Sequence, residues 1–214
     1  RPVVAQTFHA GPHEIGCMWV RTPSQKTDAQ QDQSKDKRTG RIFSITIKDF
    51  ASVTGDGRRT IEELIYRHGR YRAQADMFLT RMAGQRLRVP AKGERVKLNE
   101  SGNHAQGTLF RDGRELISPE LEHIINAVVE RFAIEQPSTI WQDNGLDFGR
   151  FDIRYAHEGD LCTGQGLGII EFNGTSAEST NLYDPKRSVL WAYRVLFAQW
   201  KVLYQLGARR RMQG

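Results

Sequence analysis

No stretch of the 214-residue chain reaches the roughly 18 consecutive apolar residues of a membrane span. Its N-terminus also lacks the basic, apolar and small-residue pattern of a signal peptide, so the expected setting is cytoplasmic, with no membrane partner. Cysteine is scarce: Cys17 and Cys162 have no zinc-site spacing, and two reduced thiols are favoured over a disulfide in that compartment. Internal repeats are absent. Acidic residues are outnumbered, 25 to 31, leaving a net charge of +6 that invites a nucleic-acid reading, to which the terminal "ARRRMQG" adds. The arginines, however, are spread among acidic residues, and no nucleic-acid module or repeated basic-aromatic pattern accompanies them. No nucleic-acid partner is expected, and the same charge suits an anionic nucleotide or acidic substrate.

What is present is a mixture of strand and helix signals. "RPVVAQTFHAGPHEIGCMWVR" reads as a short strand, a Gly-Pro turn and a second strand from about Glu14 to Val20. Because the chain opens inside a strand, an N-terminal part is expected to be missing. Residues 22–39 are polar and read as a mobile hairpin connection. "RIFSITIKDF" alternates, setting Ile42, Ser44, Thr46 and Lys48 against Phe43, Ile45 and Ile47, with one face buried and Lys48 a solvated strand end. Thr60 and Glu63 form a capping-box pair ahead of a helix, and a second helix is expected over about Arg72 to Met82. A strand "ERVKL" then leads into a turn-rich stretch too polar for core. Ser118-Pro119 opens a helix whose Leu121, Ile124, Ile125, Val128, Val129 and Phe132 form one stripe. Two strands, "FGRFDIRY" and "GLGIIEF", flank a polar loop at 157–166. A last helix from Asp184-Pro185 carries Val189, Tyr193, Leu196, Phe197, Trp200, Leu203 and Tyr204 at helical spacing before Gly207 closes it. The fold class is α+β, in mixed α/β layers.

Period two puts Arg150, Asp152 and Arg154 on one face of the first of those two strands, and Glu171 and Asn173 on one face of the second. If the strands pair, Asp152, Glu171 and Asn173 converge. Three oxygen donors on rigid strands suit a hard cation such as magnesium, with phosphate oxygens and water completing its shell. Zinc is disfavoured without His or Cys in the cluster. The plainer alternative is that Asp152 pairs with a neighbouring arginine and Glu171 is a solvated strand end. "NGTSAEST", directly after the candidate ligands, supplies the small and hydroxyl residues expected where a carboxylate or phosphate meets backbone amides. His9 and His13 are four apart, but Gly11-Pro12 breaks any helix between them and disfavours a metal pair.

"FGRFDIR", "GIIEFNGTSAESTNLYDP" and "AYRVLFAQW" resemble the C-terminal part of ATP-grasp enzymes, close to the D-alanine:D-alanine ligase-like, carboxylate-amine ligase group. "IFSITIKDF…GDGRRTIEELI" and "VPAKGERVKLNESGNHAQGTLFRDGRELISPEL" extend the resemblance over nearly the whole chain, and Asp followed by Glu-x-Asn is its most specific part. It implies an ATP-grasp-like antiparallel sheet flanked by helices. Residues 1–207 would form a partial domain and 208–214 a basic tail.

By the same resemblance Asp152, Glu171 and Asn173 match the magnesium ligands, and Arg150 the catalytic arginine beside the transferred phosphoryl group. Gln6, Thr7, Phe8 and His9 match the linker that receives adenine of ATP through its backbone, and Glu14, ahead of His13, the ribose-binding carboxylate. Ser176 and Ser179 fall in the second-substrate loop, with Asn103 and His104, and more weakly Lys48, as phosphate or substrate contacts. The implied reaction joins a small-molecule carboxylate to an amine through an acyl phosphate, using ATP and Mg2+. The phosphate-gripping lysines and glycine loop of the family have no counterpart, so the chain alone is expected to bind ATP weakly and turn over little. The alternatives are a non-catalytic nucleotide-binding remnant and, further off, a basic nucleic-acid-binding protein.

Overall fold

The computed structural model describes residues 5–21, 40–135 and 146–213. The expected connection at 22–39 and the start of the expected first strand lie outside those residues, and residues 5–12 are irregular. Along the chain run strands β1 His13–Val20, β2 Arg41–Asp49, β3 Ser52–Thr54, β4 Arg95–Lys97, β5 Leu109–Asp112, β6 Phe148–Tyr155 and β7 Gly168–Asn173. The helices are α1 Ile61–Arg67, α2 Ala75–Arg81, α3 Pro119–Glu135, α4 Glu158–Thr163 and α5 Val189–Gln213. Contacts divide the chain into two compact units, Arg1–Ile47 with Arg111–Gly214, and Lys48–Phe110.

The first unit is built on a sheet of order β5-β2-β1-β6-β7, antiparallel where β1 meets β2 and β6 and where β6 meets β7. Helices flank it on both faces, as the mixed α/β class requires. On one face Ile15, Cys17 and Trp19 of β1, Ile42 and Ile45 of β2, and Phe151, Ile153 and Tyr155 of β6 form a core closed by Leu121, Ile125 and Val129 of α3 and Leu161 of α4. The three α3 residues belong to the expected stripe, at the spacing that keeps apolar side chains on one helix side. On the opposite face Met18, Val20 and Phe148 pack with Ala177 and with Leu206 of α5. The upper half of that second face carries polar side chains.

In the second unit the Thr60–Glu63 capping box forms as expected, the Thr60 hydroxyl accepting from the Glu63 amide and the Glu63 carboxylate from the Thr60 amide. Its own core gathers Ile61, Ile65, Tyr71, Phe78 and Leu79 on Val53, Val96 and Leu98 of the β3–β4 ribbon. The expected second helix is split between a 3-10 turn, Tyr71–Gln74, and α2.

Several expectations change. The register of β1 on β2 shifts between Met18 and Trp19, leaving Phe43 as an extra residue, so Ile42 joins Ile45 in the core while Phe43 turns to the opposite face. Strict alternation therefore fails midway along β2. Its polar face is covered too, since Ser44, Thr46 and Lys48 are all buried, and Lys48 is no solvated strand end. The turn-rich segment contains β5, with Phe110 and Asp112 buried, and the polar loop before β7 contains α4, whose His157 and Asp160 cap it reciprocally. The last helix starts at Val189, after a Ser188 hydroxyl that accepts from the Trp191 amide 3.2 Å away, and it continues through Gly207 instead of ending there. One glycine costs a helix about 1 kcal/mol, which the following Ala208 and arginines offset.

Burial separates the two thiols. Cys17 is fully buried and desolvation, helped by Glu122, pushes it up to about 12, whereas Cys162 is exposed on α4. Iodoacetamide at pH 8 should alkylate Cys162 alone in the native chain and both residues in urea, as read by peptide mass spectrometry; native labelling of Cys17 at a similar rate would contradict this core. Truncation of fully buried Ile153 to Ala should cost about 2–5 kcal/mol in urea unfolding.

Candidate functional site

The polar half of the sheet's second face is set by register. β6 against β7 places Asp152 opposite Glu171 and Arg150 opposite Asn173, while Phe151 faces Phe172 on the core side with ring centroids 4.7 Å apart. Directly opposed residues have Cβ atoms about 4.5–5.5 Å apart. Asp152, Glu171 and Asn173 therefore share one face of two neighbouring strands, next to Arg150. β1 against β6 adds Glu14 opposite Arg154 and Gly16 opposite Asp152.

Charges on this face are paired along β6 and across to β1. Arg150 Nε donates to Asp152 Oδ1 at 3.0 Å and its Nη1 to the Glu178 carbonyl at 3.1 Å. Arg154 Nε donates to Glu14 Oε2 at 2.9 Å, and both Asp152 and Glu14 are buried. Gly16 leaves room for the first pair: a Cβ there would sit 3.1 Å from Arg150 Cδ and 3.4 Å from Asp152 Oδ1. The guanidinium crosses β1 through the space that a side chain would take.

Asn173 Nδ2 is buried and has no hydrogen-bond partner among the described residues. A buried amide donor without an acceptor is costly. It fits a bound group that brings its own acceptor oxygens, as a phosphate chelated to a cation does. Asp152 and Glu171 supply hard carboxylate oxygens beside it, and Glu171 is exposed at the strand edge. Among the described residues no group of three or more His, Cys, Asp or Glu could hold a metal, so a cation here would rest on two carboxylates, one amide oxygen and water.

The loop after β7 lies over the face and is tied to β2, α5 and β5. Ser44 Oγ of β2 donates to Ser179 Oγ at 3.1 Å, and Thr180 Oγ1 to Thr46 Oγ1 at 3.0 Å. Gln199 of α5, itself buried, accepts from the Ser179 amide at 2.8 Å and donates to the Ala177 carbonyl at 3.0 Å. Further on, Asn181 Nδ2 donates to Asp112 Oδ1 at 3.0 Å, and the Asp112 amide to Asp184 Oδ2 at 2.9 Å. Ser179 is 0% exposed, its hydroxyl bonded to Ser44 and its amide to Gln199, whereas Ser176 is exposed. The Tyr183 hydroxyl donates to Glu178 Oε2, an interaction that raises its own titration.

The segment 5–12 runs beside β7. Gln6 Nε2 donates to the Ile170 carbonyl at 3.2 Å, and His9 Nε2 lies 2.7 Å from the Gly166 carbonyl while its Nδ1 accepts from the Gly11 amide. Gly168 leaves room for this imidazole, since a Cβ there would meet His9 Cδ2 at 2.6 Å. Thr7 and Phe8 are exposed, Phe8 at 74%, with the Arg154 guanidinium 5.8 Å from its ring centre. Asn103 and His104 belong to the second unit. There the Asn103 side chain caps a 3-10 turn by accepting from the Ala105 amide at 2.9 Å, and burial, reinforced by Arg70, pushes His104 down. Gly16, Gln199 and the Ser44/Thr46 pair were missed in the sequence; alternation in "RIFSITIKDF" marked the last two as a face without saying what covers them.

No family model matches the chain, and no curated protein sequence does. Fourteen chains among solved structures match. One is a bifunctional glutathione synthetase from Pasteurella multocida, similar over 91% of this chain and 24% of that one, at 14% identity and a TM-score of 0.47. The chain spans about a quarter of that protein's length.

Gly16→Ala should force Arg150 and Asp152 to shift by a few tenths of an ångström and destabilise the fold by about 1–3 kcal/mol, measured by urea unfolding. An unchanged stability would show the pair adjusts freely. Asp112 gives a pH test. Burial alone would push its carboxyl up, but hydrogen bonds from Asn181, Arg114 and Arg187 together hold it below its usual 3.8. Its stabilising contribution is therefore present above about pH 4 and fades as pH falls through the lower folded value. Asp112→Asn should lower stability at pH 7 and flatten the acid limb between about pH 4 and pH 2; an acid limb identical to the parent's would rule this role out.

Proposed function

We propose that the chain carries the cation-binding and phosphoryl-transfer part of an ATP- and magnesium-dependent carboxylate-amine ligase of the ATP-grasp type, acting through an acyl phosphate. The observation that supports this reading is the β6–β7 register, which aligns Asp152 with Glu171 and Arg150 with Asn173 under a loop of small residues. Asp152, Glu171 and the Asn173 oxygen would hold the cation. When bound, magnesium supplies positive charge against the phosphate oxygens.

The chain's own side chains orient and neutralise. Arg150 keeps a fixed positive charge at the face, beside Asp152 and under the loop, where a phosphoryl group in transfer would need it. Asn173 Nδ2 would donate to a phosphate oxygen and so gain the acceptor it lacks among the described residues. In segment 6–9 the side chains of Gln6 and His9 are committed to β7 and Gly166, which leaves the backbone to meet adenine. Glu14, held by Arg154, is the ribose-side carboxylate, and Ser176 the loop hydroxyl exposed to a second substrate. In this reading a substrate carboxylate attacks the γ-phosphorus, ADP departs, and an amine then displaces phosphate from the acyl carbon. No protein nucleophile is needed. The Arg150–Asp152 ion pair favours a second reading, in which the face binds nucleotide without turning it over.

Calorimetric titration of ATP with and without Mg2+ tests the site. Binding should depend on magnesium and weaken by about tenfold or more in Glu171→Gln, an exposed position whose change leaves the fold intact. Equal binding in EDTA, or a Glu171→Gln variant that binds like the parent, would sink the proposal. Phosphate release with carboxylate and amine mixtures then separates the ligase from the binding-only reading.

A further inference from the structure

Helix α5 is apolar on two sides, and the first unit's core accounts for one. Its inner side, with Leu206 and the partly buried Val202 and Leu203, packs on Met18, Val20, Phe148 and Ala177. The other side presents Leu190, Tyr193, Phe197, Trp200 and Tyr204, exposed by 72%, 53%, 60%, 52% and 71%. At 3.6 residues per turn these five fall within an arc of about 80°. Three of the rings touch in succession, with centroids 6.1 Å apart for Tyr193–Phe197 and 5.7 Å for Phe197–Trp200. They form a continuous ridge. Of the apolar residues read at helical spacing along this helix, Val189, Tyr193, Phe197, Trp200 and Tyr204 are exposed. A helix apolar on two sides is ordinarily covered on both.

The spacing of the ridge and the charges beside it indicate what covers it. Leu190, Tyr193, Phe197, Trp200 and Tyr204 alternate by three and four residues, the a and d positions of a heptad. In that frame the e positions are Arg194 and Lys201, both exposed, and no acidic residue occurs anywhere on α5. A second copy is a poor match. Antiparallel pairing would set Arg194 and Lys201 against the same two cations of the copy, and parallel pairing would set them against Val189 and Leu196. An acidic helix satisfies both the ridge and the flank.

We propose that this ridge is a docking seam for an amphipathic helix of a partner protein, with aliphatic residues at its heptad a and d positions and acidic residues at e and g. The large aromatic anchors Tyr193, Phe197 and Trp200 supply the apolar contact, and Arg194 and Lys201 select the partner's charge. The seam does not depend on the ligase reading.

The probe is a fluorescein-labelled synthetic peptide of three heptads with Leu at a and d and Glu at e and g, titrated with the full chain by anisotropy. A second peptide carries Lys at e and g. The Glu peptide should bind about tenfold or more tightly than the Lys peptide, with the difference shrinking at high salt. Arg194→Glu with Lys201→Glu should invert the preference, and Phe197→Glu with Trp200→Glu should abolish binding of both. The charge reversal lies on exposed positions and should leave the unfolding temperature unchanged, so it decides the question even if the aromatic double variant fails to fold. Equal affinity for the two peptides, absence of binding, or a preference unmoved by charge reversal would overturn the proposal. So would sedimentation showing a dimer that Trp200→Glu dissolves, or binding to phosphatidylglycerol vesicles without any peptide preference.

Discussion

The Arg150–Asp152 ion pair, laid across Gly16, is the constraint around which the first unit's polar face is organised. Without a Cβ at position 16 the guanidinium can lie flat over β1 and still donate to both its own strand and the carbonyl of Glu178 in the loop above. One cation thus bridges the sheet and the segment that covers it. A half-buried arginine bonded to a carboxylate and a carbonyl holds its position much better than a solvated one, because moving it would strand a buried negative charge.

The same face explains why the loop after β7 can be rich in small residues and still be ordered. Its hydroxyls and backbone groups are bonded to Ser44 and Thr46 of β2, to Gln199 of α5 and, through Asn181 and Asp184, to Asp112 of β5. Each such bond contributes about 0.5–1.5 kcal/mol, but their spread over three elements matters more than the sum. The loop is fixed at both ends, while Thr175 and Ser176 stay exposed between β7 and the first anchor.

Local signals were legible and long-range ones were not. The Thr60–Glu63 box, the Leu121, Ile125 and Val129 positions of the α3 stripe and the shared face of Asp152, Glu171 and Asn173 follow from spacings within a few residues, and all three are present in the structure. The outward turn of Phe43 depends on a register shift against β1, which no pattern inside "RIFSITIKDF" encodes. β5 escaped notice because its short edge segment is buried largely through partners on other elements, Asp112 through Arg187, Asn181 and Asp184. α4 is too short for periodicity, and its cap is a histidine instead of a hydroxyl residue. For the candidate site, the ligand face was readable. Ser179's structural role was not, since its burial depends on Ser44 from a strand 135 residues away.

Gln199 connects two features that lie on opposite sides of one helix. Its amide clasps the backbone at Ala177 and Ser179, while Phe197 and Trp200, two residues before and one after, stand on the outer ridge. Along α5 the residues of the outer ridge and the amide that holds the covering loop are thus immediate neighbours in sequence.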